Sequence, residues 1–192
     1  MTDGHGSHTL KVVNDFCDVS TLKTLFEGET WSYGWRSNAS AKDSPFWHIQ
    51  FCGGRSPKDK SFHDDILSAV PGLAAIHDIW QRIKEELAPG YGLIRVYANG
   101  HTYGLEGHIH RDCKPSENEL TAIIYANEEW KDRWSGETVF FDESRECLSV
   151  RPRPGRLVLF DGSIPHVARA PTRDCHDLRI TLVFKMRLKE SG

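Results

Sequence analysis

Three residues of this chain carry metal-binding chemistry. His110 and Asp112 stand two apart in Gly107-His108-Ile109-His110-Arg111-Asp112, and His166 follows the turn Ser163-Ile164-Pro165. The stretch 107–112 reads as a strand, and alternate strand residues share a face, so one imidazole and one carboxylate are expected to project together. A barrel can bring His166, far along the chain, beside them. Two imidazoles and one carboxylate on one side of a metal suit Fe(II) and leave positions open for reactants. Such binding requires neutral imidazoles and an ionised acid.

Arg179 opens the last strongly apolar run, Arg179-Ile180-Thr181-Leu182-Val183-Phe184. A guanidinium facing into a barrel needs an anionic partner, and its fork matches a carboxylate. Thr181 shares that face, and Tyr125 of Ile123-Ile124-Tyr125-Ala126-Asn127 can donate a phenolic hydrogen bond to the same group. The set suits the distal carboxylate of 2-oxoglutarate, whose keto-acid end would meet the iron. Arg169 and Arg173 remain rival anchors; Arg179 is preferred because it alone begins an alternating apolar strand.

The elements that must position these groups fall into two parts. Residues 1–90 read as a mixed cap. Ser20 or Thr21 caps a short helix ending near Gly28, and residues 46–51 alternate like a strand. Pro71 opens a helix in which Leu73, Ile76, Trp80, Ile83 and Leu87 recur at helical spacing until Pro89-Gly90. Residues 91–192 change to short strands at 93–97, 107–112, 121–125, 137–141, 147–151, 156–160, 165–169 and 179–186, separated by Gly and Pro breaks. The expected fold is α+β and mainly β: a double-stranded β-helix, or jelly roll of the cupin-like kind, with supporting N-terminal helices.

Bulk properties narrow the function. A chain of 192 residues can bury one sizeable core, and a net charge of -3 gives no polybasic surface for nucleic acid or anionic lipid. No apolar run reaches membrane-spanning length. The first eight residues, with His5 and His8, read as a flexible tail without signal-peptide character. The five cysteines are odd in number and lack any Cys-x-x-Cys, which points to reduced thiols and a cytoplasmic setting. Asn38-Ala39-Ser40 fits a glycosylation acceptor, discounted without a secretion signal.

The stretch from about Leu93 to Met186 resembles the Fe(II)/2-oxoglutarate-dependent dioxygenases, particularly their prolyl-hydroxylase-like branch. The resemblance rests on Tyr97, Gly100, Tyr103 and His110-x-Asp112, on Tyr125-Ala126-Asn127-Glu128-Glu129-Trp130 and on Ser135-Gly136-Glu137-Thr138. It continues through Pro154-Gly155-Arg156-Leu157-Val158-Leu159-Phe160 and His166-Val167 to Arg179. It implies that His110, Asp112 and His166 hold Fe(II) and that Arg179 with Tyr125 holds 2-oxoglutarate. Tyr97, with Tyr103 as its rival, would lie near the co-substrate. The implied reaction uses O2, releases succinate and CO2, and hydroxylates a substrate C–H bond.

Two other readings stand beside this one. His108-Ile109-His110 with His166 could form a cupin-type three-His site that needs no co-substrate, although Lys114 and Pro115 occupy the stretch where cupins place a glutamate. A non-catalytic iron or 2-oxoglutarate sensor is the third. For substrate, a small molecule such as an amino acid or natural-product intermediate is favoured over a protein residue, and nucleic acid is disfavoured. The candidate pocket wall is the N-terminal set Trp31, Trp35, Trp47 and His48, with Tyr33 and Arg36 nearby.

Overall fold

The computed structural model describes residues 9–36, 44–54, 59–142 and 145–189. The tail histidines and Asn38-Ala39-Ser40 lie outside the described residues. Ten strands are present among the described residues: β1 (Leu10–Val13), β2 (Ser32–Trp35), β3 (Phe46–Cys52), β4 (Tyr91–His101), β5 (Glu119–Tyr125), β6 (Thr138–Asp142), β7 (Arg145–Val150), β8 (Leu157–Asp161), β9 (His166–Ala168) and β10 (Arg179–Leu188). They form a seven-stranded sheet ordered β1-β8-β5-β10-β4-β3-β2 and a three-stranded sheet ordered β7-β6-β9. Every strand pair is antiparallel. Two sheets facing each other, with helices behind the larger, are the jelly roll that the spacing of short strands predicts.

Strand alternation gives the large sheet two unlike faces. Val96 and Ala98 of β4, Ala122 and Ile124 of β5, and Leu182, Phe184 and Met186 of β10 point to the helices. Helix α1 (Ser20–Gly28) and helix α3 (Ala74–Glu86) cover that face, with the short α2 (Asp64–Ala69) beside them. In α3, Ile76, Ile79, Trp80 and Ile83 recur at helical spacing and are buried; Trp80 stacks on Phe184 at 6.4 Å. Each such side chain contributes about 1.5–3 kcal/mol by leaving water. Pro71 opens a 3-10 turn over Pro71–Leu73 that leads into α3 rather than α3 itself.

The other face looks toward the small sheet and is not uniformly apolar. Val183, Ile123, Val158, Phe160 and Phe140 close one part of the space between the sheets. The neighbouring part is lined by Arg95, Tyr97, Asn99 and His101 of β4, Thr121 of β5, and Arg179, Thr181 and Lys185 of β10. Inward-facing polar side chains in otherwise apolar strands interrupt the core and leave a cavity there.

One expected strand is absent. Residues 107–112 form no regular strand; His110 alone makes an isolated bridge to His166. The segment is held instead by reciprocal backbone bonds, His110 N to His166 O at 3.0 Å and His166 N to His110 O at 2.9 Å, and by Asp112 N to Gly162 O at 2.7 Å. Local extension puts the two side chains on one side without a continuous ladder.

Candidate metal centre and co-substrate site

The bridge between His110 and His166 is what joins the two distant motifs. One donor atom each from His110, Asp112 and His166 lie within 4.8 Å of one another. Asp112 Oδ1 stands 3.7 Å from His110 Nε2, and Asp112 Oδ2 stands 3.6 Å from His166 Nε2. Both imidazoles are fixed through the far nitrogen: His110 Nδ1 donates to His108 O at 2.8 Å and His166 Nδ1 donates to Ile164 O at 2.9 Å. Those bonds select the tautomer with a bare Nε2 lone pair, the form a metal needs. Phe160 meets the His166 ring edge-on at 4.7 Å and limits its rotation.

Burial, partly offset by Asp112, lowers His166 to about 4, so it is neutral at pH 7. Burial pushes the Asp112 carboxyl up, but Lys185, His166 and His110 pull it further down, and the net shift is strongly downward. Lys185 Nζ contacts Asp112 Oδ2 directly, and Thr121 Oγ1 donates to the same oxygen at 2.7 Å. The local chain path requires Gly162, where a Cβ would meet Cys113 Sγ at 2.9 Å and Asp112 Cβ at 3.3 Å. His108 is exposed and stands outside the three-donor cluster; its carbonyl accepts from His110 Nδ1.

Arg179 is buried at 1% exposure. Its Nε donates to Gly136 O at 2.5 Å and its Nη2 to Thr138 Oγ1 at 3.1 Å, while the ring of Tyr125 lies 5.3 Å from Cζ. Its Nη1 is buried with no hydrogen-bond partner. The tight seat explains Gly136, whose φ is +83° and where a Cβ would meet Arg179 Cδ at 3.1 Å. Asn127 pins the start of β10 by accepting from Ile180 N at 2.8 Å and donating to Leu178 O at 2.7 Å. Of the rival anchors, Arg169 pairs with Glu106 and Arg173 is exposed.

The cavity that joins these parts has a volume of about 560 Å³. Tyr97 and Thr181 line it beside His110, Asp112, His166 and Arg179. Tyr125 does not reach it. Its hydroxyl bonds Thr138 Oγ1 and Val150 O, both at 2.8 Å, so it braces Arg179 from behind instead of donating to a ligand. Tyr103 is 62% exposed. Of the N-terminal set, Trp35 and Arg36 line the cavity. His48 lies behind, stacked on Trp35 at 4.2 Å and bonded to Asn99 at 3.0 Å. Trp47 packs on Tyr33, and Trp31 packs on Phe26 in the helix-side core.

Sequence reasoning passed over Arg95, His101, Thr121, Thr138 and Lys185. Each sits inward in an alternating apolar strand, and that placement of a polar residue is the signal that marks them. His101 is 2% exposed, opposite Arg179 in the ladder, and burial with Arg179 nearby lowers it to about 3.

Residues 94–185, which hold the donor cluster and Arg179, match the 2OG-Fe(II) oxygenase superfamily. No curated protein matches the chain in sequence. Among solved structures it is similar to a Pseudomonas putida prolyl-4-hydroxylase, with 18% identity and a TM-score of 0.60 over 95% of this chain and 94% of that one. It is similar also to a Trichoplax adhaerens prolyl hydroxylase in complex with a hypoxia inducible factor peptide fragment, at 14% identity and a TM-score of 0.61 over 94% and 84%. The non-heme alpha ketoglutarate dependent epimerase SnoN from nogalamycin biosynthesis matches at 15% identity and a TM-score of 0.63, over 94% and 76%. These likenesses establish the shared fold. The family's cofactors are Fe(II), 2-oxoglutarate and O2, and the enzyme is a dioxygenase.

Proposed function

We propose that His110, Asp112 and His166 hold Fe(II), that Arg179 anchors 2-oxoglutarate, and that the enzyme hydroxylates a C–H bond of a small molecule. The observation that carries the co-substrate assignment is the buried Arg179 Nη1 without an acceptor. A charged donor removed from water and left unpaired is costly, and an entering carboxylate offsets that cost. The donor set fits the metal for a separate reason: two bare imidazole Nε2 atoms and an ionised acid converge within 4.8 Å of one another.

Bound iron and 2-oxoglutarate supply oxidation of a C–H bond by O2, with succinate and CO2 as co-products. The protein's own groups prepare the site. Lys185 and Thr121 keep Asp112 ionised and aimed, while the carbonyls of His108 and Ile164 hold each imidazole proton away from the metal side. Arg179 sets one end of the co-substrate, and Thr181, two residues along the same strand face, adds a hydroxyl there. Tyr97, its ring tilted against His48 and lining the cavity, walls the opposite flank. Ile123, Val183 and Phe160 present apolar surface that keeps water from the reacting centre.

A small substrate is supported by the size of the cavity, about 560 Å³, with Trp35, Arg36 and Phe46 among its lining. The second reading, hydroxylation of a protein residue, draws on the prolyl hydroxylases of the same fold. The test is succinate release from 2-oxoglutarate with a metabolite panel and with proline-containing peptides. A metabolite that stimulates succinate and gains one oxygen supports the proposal. Stimulation by peptides alone moves the assignment to protein hydroxylation, and turnover without 2-oxoglutarate removes the reading altogether.

A further inference from the structure

The cavity holds a second cationic seat that the co-substrate reading leaves unused. We propose that Arg95 binds a carboxylate of the substrate, so that the molecules this enzyme oxidises are small organic acids. The inference rests on the oxygenase reading above and names the substrate class of that site.

Arg95 faces the cavity from β4, and its cross-strand partner on β10 is Lys185, which in turn faces Thr121 on β5. Lys185 and Thr121 both contact Asp112, so this row is the metal end of the cavity floor. Arg179 stands at the opposite end of the same β10 face, opposite His101. The Arg95 guanidinium lies over the Tyr97 ring at 5.1 Å, and its Nε and Nη1 are buried without a hydrogen-bond partner.

The nearby acids are already engaged. Asp112 contacts Lys185, and buried Glu119 accepts from Lys60 Nζ at 2.5 Å. Asp59 accepts from Ser61 N at 3.1 Å and feels the Arg95 charge, but it makes no hydrogen bond to Arg95 Nε or Nη1. Buried donors are nearly always satisfied in folded proteins, so two open ones on a single cavity-lining guanidinium call for an acceptor from outside. The charge balance agrees. Among cavity-lining residues, Arg36, Arg95, Arg111, Arg179 and Lys185 carry five positive charges against the one negative charge of Asp112, an excess of four. Fe(II) and doubly ionised 2-oxoglutarate cancel one another and leave that excess in place. A neutral oxygen acceptor can pair with Arg95 but leaves its charge uncompensated, whereas a carboxylate supplies the charge and takes the bidentate geometry a guanidinium fork favours.

The probes are the free L-amino acids and simple aliphatic and aromatic carboxylic acids, each paired with its primary amide. Binding to the protein loaded anaerobically with Fe(II) and 2-oxoglutarate is read through tryptophan fluorescence, since Trp35 lines the cavity. Stimulated succinate release is read in air. At least one acid is expected to bind at least tenfold more tightly than its amide. Arg95→Gln is expected to raise that acid's Kd at least tenfold while moving the Kd of 2-oxoglutarate much less, and Arg179→Gln to show the reverse order. Arg95→Lys restores part of the acid affinity and carries the comparison if the glutamine variant loses its fold. Binding by no acid, equal binding of acids and amides, or a smaller loss in Arg95→Gln overturns the proposal. If acids bind through Arg95 but 2-oxoglutarate is never converted to succinate, the oxygenase reading fails and the anion seat stands.

Discussion

Arg179→Gln probes how the co-substrate is held. In the folded protein Nε and Nη2 are committed to Gly136 O and Thr138 Oγ1, and Nη1 is buried without a hydrogen-bond partner. A carboxylate seated there gains one charge-assisted bond from Nη1 and shares a second at Nη2, about 1.5–3 kcal/mol each. Glutamine is shorter and uncharged, so a combined loss of about 3–4 kcal/mol is expected, or roughly 10²- to 10³-fold in 2-oxoglutarate affinity. The assay is anaerobic urea denaturation with Fe(II) present and 2-oxoglutarate added at one hundred times the parent Kd. Ligand linkage stabilises the parent by about 2.7 kcal/mol under that condition and the variant by less than about 0.5 kcal/mol. Without 2-oxoglutarate the variant is expected within about 1 kcal/mol of the parent, because a buried guanidinium lacking an acid partner adds little net stability. A variant affinity within tenfold of the parent, or a larger loss from Arg173→Gln, refutes the reasoning.

Three further outcomes follow from the same geometry. Lys185→Met leaves Asp112 buried without its cation, so the metal-free protein is expected to lose about 3 kcal/mol in denaturant unfolding and to recover most of it on adding Fe(II); equal losses with and without metal argue against the pairing. Tyr125→Phe removes the hydroxyl that braces Thr138 and Val150, lowering stability by about 1–2 kcal/mol, with the change in 2-oxoglutarate affinity smaller than that of Arg179→Gln. Burial and Arg179 depress His101 from 6.5 to about 3, so the unfolded chain binds a proton the folded chain refuses in that window. Stability therefore falls as pH drops below about 6.5, by about 2–3 kcal/mol between pH 6.5 and 4.5. Burial acts on His166 in the same direction. His101→Gln removes the larger share, and an unchanged pH slope in urea titrations counts against the burial argument.

The His110–Asp112 half of the candidate triad was readable because it depends on residue types and a two-residue step, both local. Its supporting backbone was not: residues 107–112 need only be extended at His110 and Asp112, and the long-range bridge to His166 does the rest. Helix α3 was legible from its apolar spacing, while β1 and β2 are four residues each, too short for a periodic signal. Tyr125 shows the limit of pattern alone. Its position beside Arg179 was foreseeable, but whether the hydroxyl meets a ligand or Thr138 depends on the facing sheet. The tryptophans divide likewise: Trp35 lines the cavity and Trp47 packs on Tyr33, a split between pocket and surface that composition cannot make. Arg95 and Lys185 stand inward among apolar neighbours, and only the ladder register reveals that they share a row with Thr121.

The central claim is that His110, Asp112 and His166 close on a single ferrous ion. Anaerobic equilibrium dialysis of Fe(II) against the parent, His110→Ala, Asp112→Ala and His166→Ala measures this directly, with circular dichroism confirming that each variant is folded. One tightly held iron per parent chain, and loss of that iron in all three folded variants, is the predicted result. Undiminished iron binding by any folded variant, or none by the parent, contradicts the account.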